Sequence, residues 1–156
     1  MPDILVGAKI KAADNPASVW AQDTTEISNI SSTSWIAGSP EVGVTFVAPT
    51  SGKVLMFVGG SARANTGDDR IQMSANVFLG SNSSGTQILS PSVGFTGCGF
   101  SAASTSYYYQ NRLFHLTGLT PGSTYYARVM YSVVNTGTAN NAGDISCREI
   151  GVSPIS

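Results

Sequence analysis

The sequence predicts an all-β fold, a jelly-roll-like β-sandwich, and three observations support that prediction. Short segments rich in β-branched and aromatic residues recur from residue 41 onward. Clusters of Gly, Pro, Asn and Ser separate these segments and predict turns between strands. No stretch of the chain shows the 3.6-residue apolar period of an amphipathic helix. Strands at this near-regular spacing are typical of sandwiches and jelly rolls.

The first two strands of the body follow one another closely. In residues 41–48 apolar side chains occupy alternate positions, which is the period of a half-buried strand. Pro49 presets φ for a turn and Gly52 permits a positive φ at its end. Residues 53–58 are almost continuously apolar and predict a strand covered on both faces. The alternating apolar residues are Val42, Val44, Phe46 and Ala48.

The remainder of the body repeats this alternation of strand and turn. Three glycines predict turns between two of the predicted strands; they are Gly94, Gly97 and Gly99. The strands predicted from the pattern are residues 70–79, 86–89, 105–116, 124–134 and 144–152.

The last predicted strand changes the face on which its apolar residues lie. Ile145 and Cys147 are odd-numbered, whereas Ile150 and Val152 are even-numbered. We expect a β-bulge near residues 148–149, or a strand that crosses between the two sheets.

Residues 1–40 differ in character from the body. They are rich in Ser and Thr, contain both tryptophans and show little alternation apart from one predicted strand near residues 34–36. We expect an extended N-terminal arm in residues 1–40 that makes assembly contacts on a neighbouring subunit, followed by a β-sandwich domain in residues 41–156.

The composition excludes several classes of function and favours an assembly partner. Charged residues make up 11% of the chain and the net charge is −1, so a hydroxyl-rich surface has little electrostatic protection against self-association. No Lys/Arg cluster is present to neutralise phosphates, which argues against a nucleic-acid partner. No apolar run reaches the roughly 20 residues of a membrane helix, and the start does not resemble a signal peptide. We therefore expect synthesis in the cytoplasm without membrane insertion.

The residues needed for catalysis are scarce, which predicts a protein that is not an enzyme. His115 is the single histidine, lies between Phe114 and Leu116 and is interpreted as structural. No GxSxG elbow or phosphate-binding loop is present, and the acidic residues are scattered. We predict no catalytic residues, no cofactor and no metal site.

Two other polar features have simple interpretations. Asp68 and Asp69 lie in a Gly-containing turn and are interpreted as solvated, with calcium coordination as the alternative. Cys98 and Cys147 are interpreted as small buried core residues, with a disulfide bridge as the alternative.

Five aromatic residues are the candidates for contact with a partner or a glycan. Tyr107, Tyr108 and Tyr109 are consecutive, so in a strand Tyr108 faces opposite to its neighbours. Subunit contact, sheet packing and glycan stacking are the three interpretations of this run. Trp20 and Trp35 are the other two candidates.

Two segments resemble known jelly rolls. Residues 44–54 resemble the strand–turn–strand near the start of complement-head and tumour-necrosis-factor-like domains. Residues 116–129 resemble a turn shared by those domains and fibronectin type III domains. Together with residues 21–23, 27–33 and 148–154, they make the whole chain similar to small proteins of actinobacterial phages, which are usually regarded as minor tail or other virion proteins.

The resemblance implies a homotrimeric jelly-roll module on a bacteriophage particle. The expected function is that of a non-enzymatic structural protein associated with the tail, either a minor tail protein or a tail-tip adhesion module. The alternatives are a capsid decoration protein and a carbohydrate-binding module. The expected partners are further copies of the chain, other virion proteins and a host cell-surface glycan, and the expected location is the virion.

Overall fold

A computed structural model describes residues 15–65, 69–100, 106–134 and 143–155. Within these ranges the chain forms ten β-strands and one single-turn helix. The elements are β1 Val19–Asp23, β2 Ile27–Ile30, β3 Gly43–Val47, β4 Val54–Ala64, β5 Arg70–Leu79, β6 Gln87–Leu89, α1 Val93–Thr96, β7 Gly97–Phe100, β8 Tyr108–Leu116, β9 Thr124–Val134 and β10 Gly143–Pro154.

The strands form two antiparallel sheets with jelly-roll connectivity. The first sheet has the order β1-β10-β4-β8, with β2 also pairing with β10. The second sheet has the order β3-β9-β5-β6, with β7 also pairing with β5. The chain crosses from one sheet to the other between β2 and β3, β3 and β4, β4 and β5, β7 and β8, β8 and β9, and β9 and β10. Two four-stranded paths linked by these crossings are those of a jelly roll. The predicted fold class is confirmed.

The core lies between the sheets because alternate residues of the long central strands point inward. Its larger cluster joins β3, β4, β5, β9 and β10, and within it the rings of Phe46 and Tyr125 stack at 5.6 Å. This cluster includes Val44, Met56, Val77, Val129 and Ile150. A smaller cluster nearer the start of β5 includes Ile71, Met73, Phe100, Tyr131, Val133 and Ile145.

The register of β10 against β4 shifts between Ile145 and Cys147, which is slightly earlier than the predicted position at residues 148–149. The shift explains the change of face. Ile145 pairs with the buried Ala62, whereas Cys147 pairs with Ser61, whose neighbours in β4 point inward. Cys147 therefore lies on the outer face of the sheet, opposite to Ile145.

The described part of the predicted arm is placed on the chain's own sandwich. β1 and β2 both pair with β10 in the first sheet. Ile36 forms a bridge to Tyr131 in the second sheet. The segment from Val19 to Ile36 thus differs from the prediction of an extended arm docked on a neighbouring subunit, while residues 1–14 lie outside the described residues. The physical reason is that two short edge strands need only a few apolar residues, such as Val19 and Ala21, to pack on the core.

Helix α1 has one turn and covers part of the outer face of the second sheet. The buried Ser74 hydroxyl interacts with Ser92 and Thr96, which fixes this turn against β5. No helix in the described ranges is long and apolar enough to cross a membrane.

Candidate interaction surface

The outer face of the first sheet carries one line of residues across all four of its principal strands. Trp20 of β1 pairs with Gly151 of β10, Gly151 pairs with Phe57 of β4, and Phe57 pairs with Leu113 of β8. Residues paired in this way point to the same face of a sheet. We call Trp20, Gly151, Phe57 and Leu113 the apolar row.

The apolar row is largely open to solvent. Trp20 and Leu113 are each 58% exposed, and Phe57 between them is half-buried. The Phe57 ring lies over Gly151, where a Cβ atom would overlap it. Because neighbouring strands lie about 4.8 Å apart, the row spans roughly 15 Å. An exposed apolar line of this length is typical of an interaction surface.

A polar row borders the apolar row on the same face. Gln22, Glu149, Gly59 and Asn111 are the successive register partners. Glu149 is buried although it lies on the outer face. Partial burial of the phenol, followed by its interaction with the Glu149 carboxylate, raises the pKa of Tyr109. The phenol therefore stays protonated at neutral pH and the face presents amide and hydroxyl groups beside its apolar line.

The three consecutive tyrosines do not form one platform. Tyr108 pairs with Ala62 and Tyr109 pairs with Ser61, so these two face opposite sides of β8. They are 48% and 52% exposed. Tyr107 lies before the strand and is half-buried, and of the two tyrosines within β8 it is Tyr109 that shares a face with the apolar row.

Tyr107 links Glu26, the residue before β2, to Arg63 of β4. Its hydroxyl donates to Glu26 Oε1 at 2.9 Å, and the Arg63 guanidinium stacks 4.8 Å above its ring. Burial, followed by the hydrogen bond to Glu26, raises the pKa of Tyr107.

The two tryptophans lie in different surroundings. Trp20 is in the apolar row, whereas Trp35 is half-buried and adjoins Ile36, the residue that bridges to Tyr131 of the second sheet. The structure therefore brings together Trp20 and Tyr109 from the predicted set on one face. It adds Phe57, Leu113 and Gln22, which the sequence pattern did not single out because only the strand register aligns them.

Charged side chains fasten the segment from Asp23 to Glu41 to later strands. Arg148 is fully buried and donates to Asp23 Oδ2 at 2.6 Å, and also to the carbonyl oxygens of Ala37 and Pro40. A hydrogen bond from the Thr25 main chain and, more weakly, the charge of Arg148 lower the pKa of Asp23. The buried guanidinium thus ties β1 and the loop before β3 to β10.

Two further ion pairs act in the same way. Arg63 binds Asp144 at 2.7 Å, and the other Asp144 oxygen accepts the Asn29 main-chain N–H at 2.9 Å. Arg128 binds Glu41 at 2.6 Å, and Tyr126 also donates to that carboxylate. Burial, followed by the bond to Glu41, raises the pKa of Tyr126 to about 12.

The remaining polar residues singled out from the sequence have the following positions. Cys98 and Cys147 are both buried and free; Cys98 lies in the smaller core cluster as predicted, whereas Cys147 is buried on the outer face of the first sheet. Burial raises the pKa of the Cys98 thiol to about 11. Asp69 is fully buried directly before β5, so its interpretation as a solvated turn residue was wrong. Asp68 lies outside the described residues.

His115 is exposed on β8. In the described part of the chain no three His, Cys, Asp or Glu residues are grouped as metal ligands.

Comparison with known proteins agrees with the jelly-roll class that the topology defines. No protein-family model matches the chain, and no curated protein is similar to it in sequence. Among solved structures, the chain is similar to a chain from the structure of infectious bursal disease virus, Gx strain. The TM-score is 0.53 over 88% of this chain, which spans 31% of the viral chain. At 10% sequence identity, this likeness concerns the fold alone.

Proposed function

We propose that the chain is a non-enzymatic structural protein of a virus particle and that it docks onto other particle proteins through the apolar row. The exposed line of Trp20, Phe57 and Leu113 is the observation that carries this proposal. Aromatic side chains in an exposed patch with a polar border are characteristic of protein interfaces. A chain with so few charged residues also relies on contacts of this type to find its partners.

The setting we propose is a bacteriophage particle, with the protein attached to the tail as a homotrimer. The phage resemblance of the sequence supports this setting, and the likeness in fold to a chain of infectious bursal disease virus is compatible with it. A capsid decoration protein, which uses the same fold to hold neighbouring shell subunits, is the alternative location.

The absence of an enzymatic role is part of the proposal. The single histidine lies exposed on the edge strand β8. The described ranges contain no grouped metal ligands. General acid–base or metal-assisted catalysis requires such groups to converge in one site.

Localisation on purified particles tests the proposal. We expect labelled antibody to decorate the tail in electron micrographs, whereas decoration of the shell would favour the alternative and absence from particles would refute both.

Trp20→Ser is expected to reduce incorporation into particles by about tenfold or more, since aromatic anchors contribute a large share of interface affinity. Val47→Ser is the matched control, because Val47 is 40% exposed on the second sheet. Equal incorporation of the two variants would exclude the apolar row as the docking surface.

A carbohydrate-binding module is the second candidate. The exposed Trp20 ring lies beside the amide of Gln22 on the same strand, and Asn111 lies across the same face. Aromatic rings and amides are the groups that stack on and hydrogen-bond to a sugar. Binding of cell-wall glycans that Trp20→Ser abolishes and Trp35→Ser retains would support this function, and the absence of binding across a glycan array would remove it.

A further inference from the structure

The longest open edge in the described structure is that of β8. β8 is the terminal strand of the first sheet, pairs with β4 over nine residues and has no other strand partner among the described residues. The strands at the other sheet edges are shorter, with three to five residues in each of β1, β3, β6 and β7. A long edge strand presents a row of main-chain groups to which another strand can pair.

β8 lacks most of the features that prevent edge pairing. It contains no Pro and no Lys, and its pairing with β4 has no register shift. Proline, lysine and β-bulges are the common means of blocking an exposed edge. Its one arginine, Arg112, is the group that any incoming strand must match.

The orientation of the main chain defines which groups of β8 face outward. The Gln110 carbonyl oxygen lies against Gly59 of β4, so the main-chain groups of Gln110 point toward β4. In an antiparallel ladder this direction alternates along the strand. The main-chain groups of Tyr109, Asn111 and Leu113 therefore point toward the open edge.

We propose that β8 is the site at which a second copy of the chain pairs, edge to edge and antiparallel, about a two-fold axis at Asn111. In this register Tyr109 of each copy faces Leu113 of the other, and Gln110 faces Arg112. The outward main-chain groups of Tyr109, Asn111 and Leu113 then bond to their counterparts.

The chemistry of β8 selects this register and a second copy as the occupant. Centring the pair on Arg112 would place two arginines directly opposite each other, which is destabilising. Centring on Asn111 instead places Arg112 beside an amide oxygen and pairs two exposed apolar groups, Leu113 and Tyr109, on one face. Tyr108 and Phe114 pair on the other face. The side chains of β8 are therefore complementary to those of a second, antiparallel β8, which is the requirement of an isologous contact.

The contact would also join the apolar rows of the two copies. Leu113 ends the row of one copy and would lie next to Tyr109 of the other, which shares the same face. The two first sheets become one continuous sheet of eight principal strands. The contact goes beyond the proposed function, since it requires only the isolated protein, and its failure leaves the particle experiment unaffected.

Cysteine cross-linking of the purified protein tests the register. Asn111→Cys places two Cα atoms about 5.5 Å apart across the axis, within the range that a disulfide spans. Arg112→Cys is the matched control, because its two Cα atoms would lie roughly 8 Å apart, beyond that range. We expect cross-linked dimer from the first variant and about tenfold less from the second. Wild-type protein should give none, since Cys98 and Cys147 are buried. Equal cross-linking of the two variants would overturn the register.

Light scattering across a concentration series tests the contact itself. We expect twice the mass of one chain, or an even multiple of it. Asn111→Pro removes an outward N–H that β4 does not use, so it should halve the mass, whereas Asn111→Ser keeps the N–H and the wild-type mass. A wild-type mass of one or three chains, or an unchanged mass for Asn111→Pro, would overturn the proposal.

Discussion

The sandwich is closed in different ways at its two ends. At one end, the loops 48–53 and 117–123 bond to each other through the main chain. Leu119 N–H donates to the Gly52 carbonyl at 3.1 Å, and Gly122 N–H donates to the Ala48 carbonyl at 2.9 Å. We call these loops the turn end. Gly52 and Gly122 have φ values of 64° and 75°, which glycine adopts without strain.

At the opposite end of the first sheet, ion pairs and side-chain hydrogen bonds hold the chain segments together. Asp23, Glu26 and Asn29 are held by Arg148, Tyr107 and Asp144, and Arg63 joins the last two. We call these residues the tethered region. Its bonds require ionised side chains and long-range partners, whereas those of the turn end require only a local backbone conformation. The two regions should therefore respond differently to mutation and to pH.

The largest effect is expected from Arg148→Ala in the tethered region. The substitution leaves the Asp23 carboxylate and two carbonyl groups without their donor in a dry interior, so we expect a loss of about 3 to 5 kcal/mol in the free energy of unfolding. Urea denaturation at pH 7 measures it. Arg70→Ala, at an exposed arginine, is the control and should change stability by about 0.5 kcal/mol or less. A loss below about 1 kcal/mol for Arg148→Ala would contradict the role of the tether.

A smaller effect is expected from Gly52→Ala at the turn end. The new Cβ atom would lie 2.6 Å from the Leu119 carbonyl oxygen at a φ of 64°. Strain and overlap together should cost about 2 kcal/mol. Gly118→Ala is the matched control, since its φ is 78° but no atom lies within 4 Å, and it should cost about 1 kcal/mol. Thermal unfolding of both variants separates overlap from strain, and equal losses would refute the overlap.

The smallest effect is expected from acidification, and it distinguishes the two regions. The pKa of Asp23 is lowered in the folded state, so its contribution is present above its unfolded pKa and is lost as the pH falls through the folded value. Wild-type stability should therefore decline below about pH 4. Asp23→Asn should flatten this decline, whereas Gly52→Ala should preserve it. Urea titrations between neutral and acidic pH measure the slopes, and identical slopes for Asp23→Asn and the wild type would contradict the prediction.

The positions of the central strands were predictable because the pattern that defines them is local. β5 and β9 have the bounds predicted from the sequence, residues 70–79 and 124–134. The glycine-containing stretch that was assigned to turns instead forms α1 and β7. A Cβ at Gly97 would overlap the Met73 carbonyl, so glycine there permits close approach to β5 and does not mark a turn. Composition alone cannot distinguish these two uses of glycine.

The candidate surface was less predictable than the strands. Trp20 was singled out as an exposed aromatic residue, but Phe57 lay within an apolar run that predicted burial on both faces. The pairing of Gly151 with both residues leaves no side chain between them, so the Phe57 ring lies over the glycine and remains half-exposed. This arrangement depends on β1 and β10 meeting across more than a hundred residues of sequence.

By itself, the sequence determined the class of fold, the order of its main strands and the scarcity of charge, since these follow from residue type and near-neighbour spacing. Only the tertiary structure decided that β1 and β2 lie on the chain's own sandwich, that Arg148 is buried against Asp23 and that four strands align the apolar row. The physical reason is strand register. A shift of one residue moves every side chain to the other face, and register is set by contacts between distant parts of the chain.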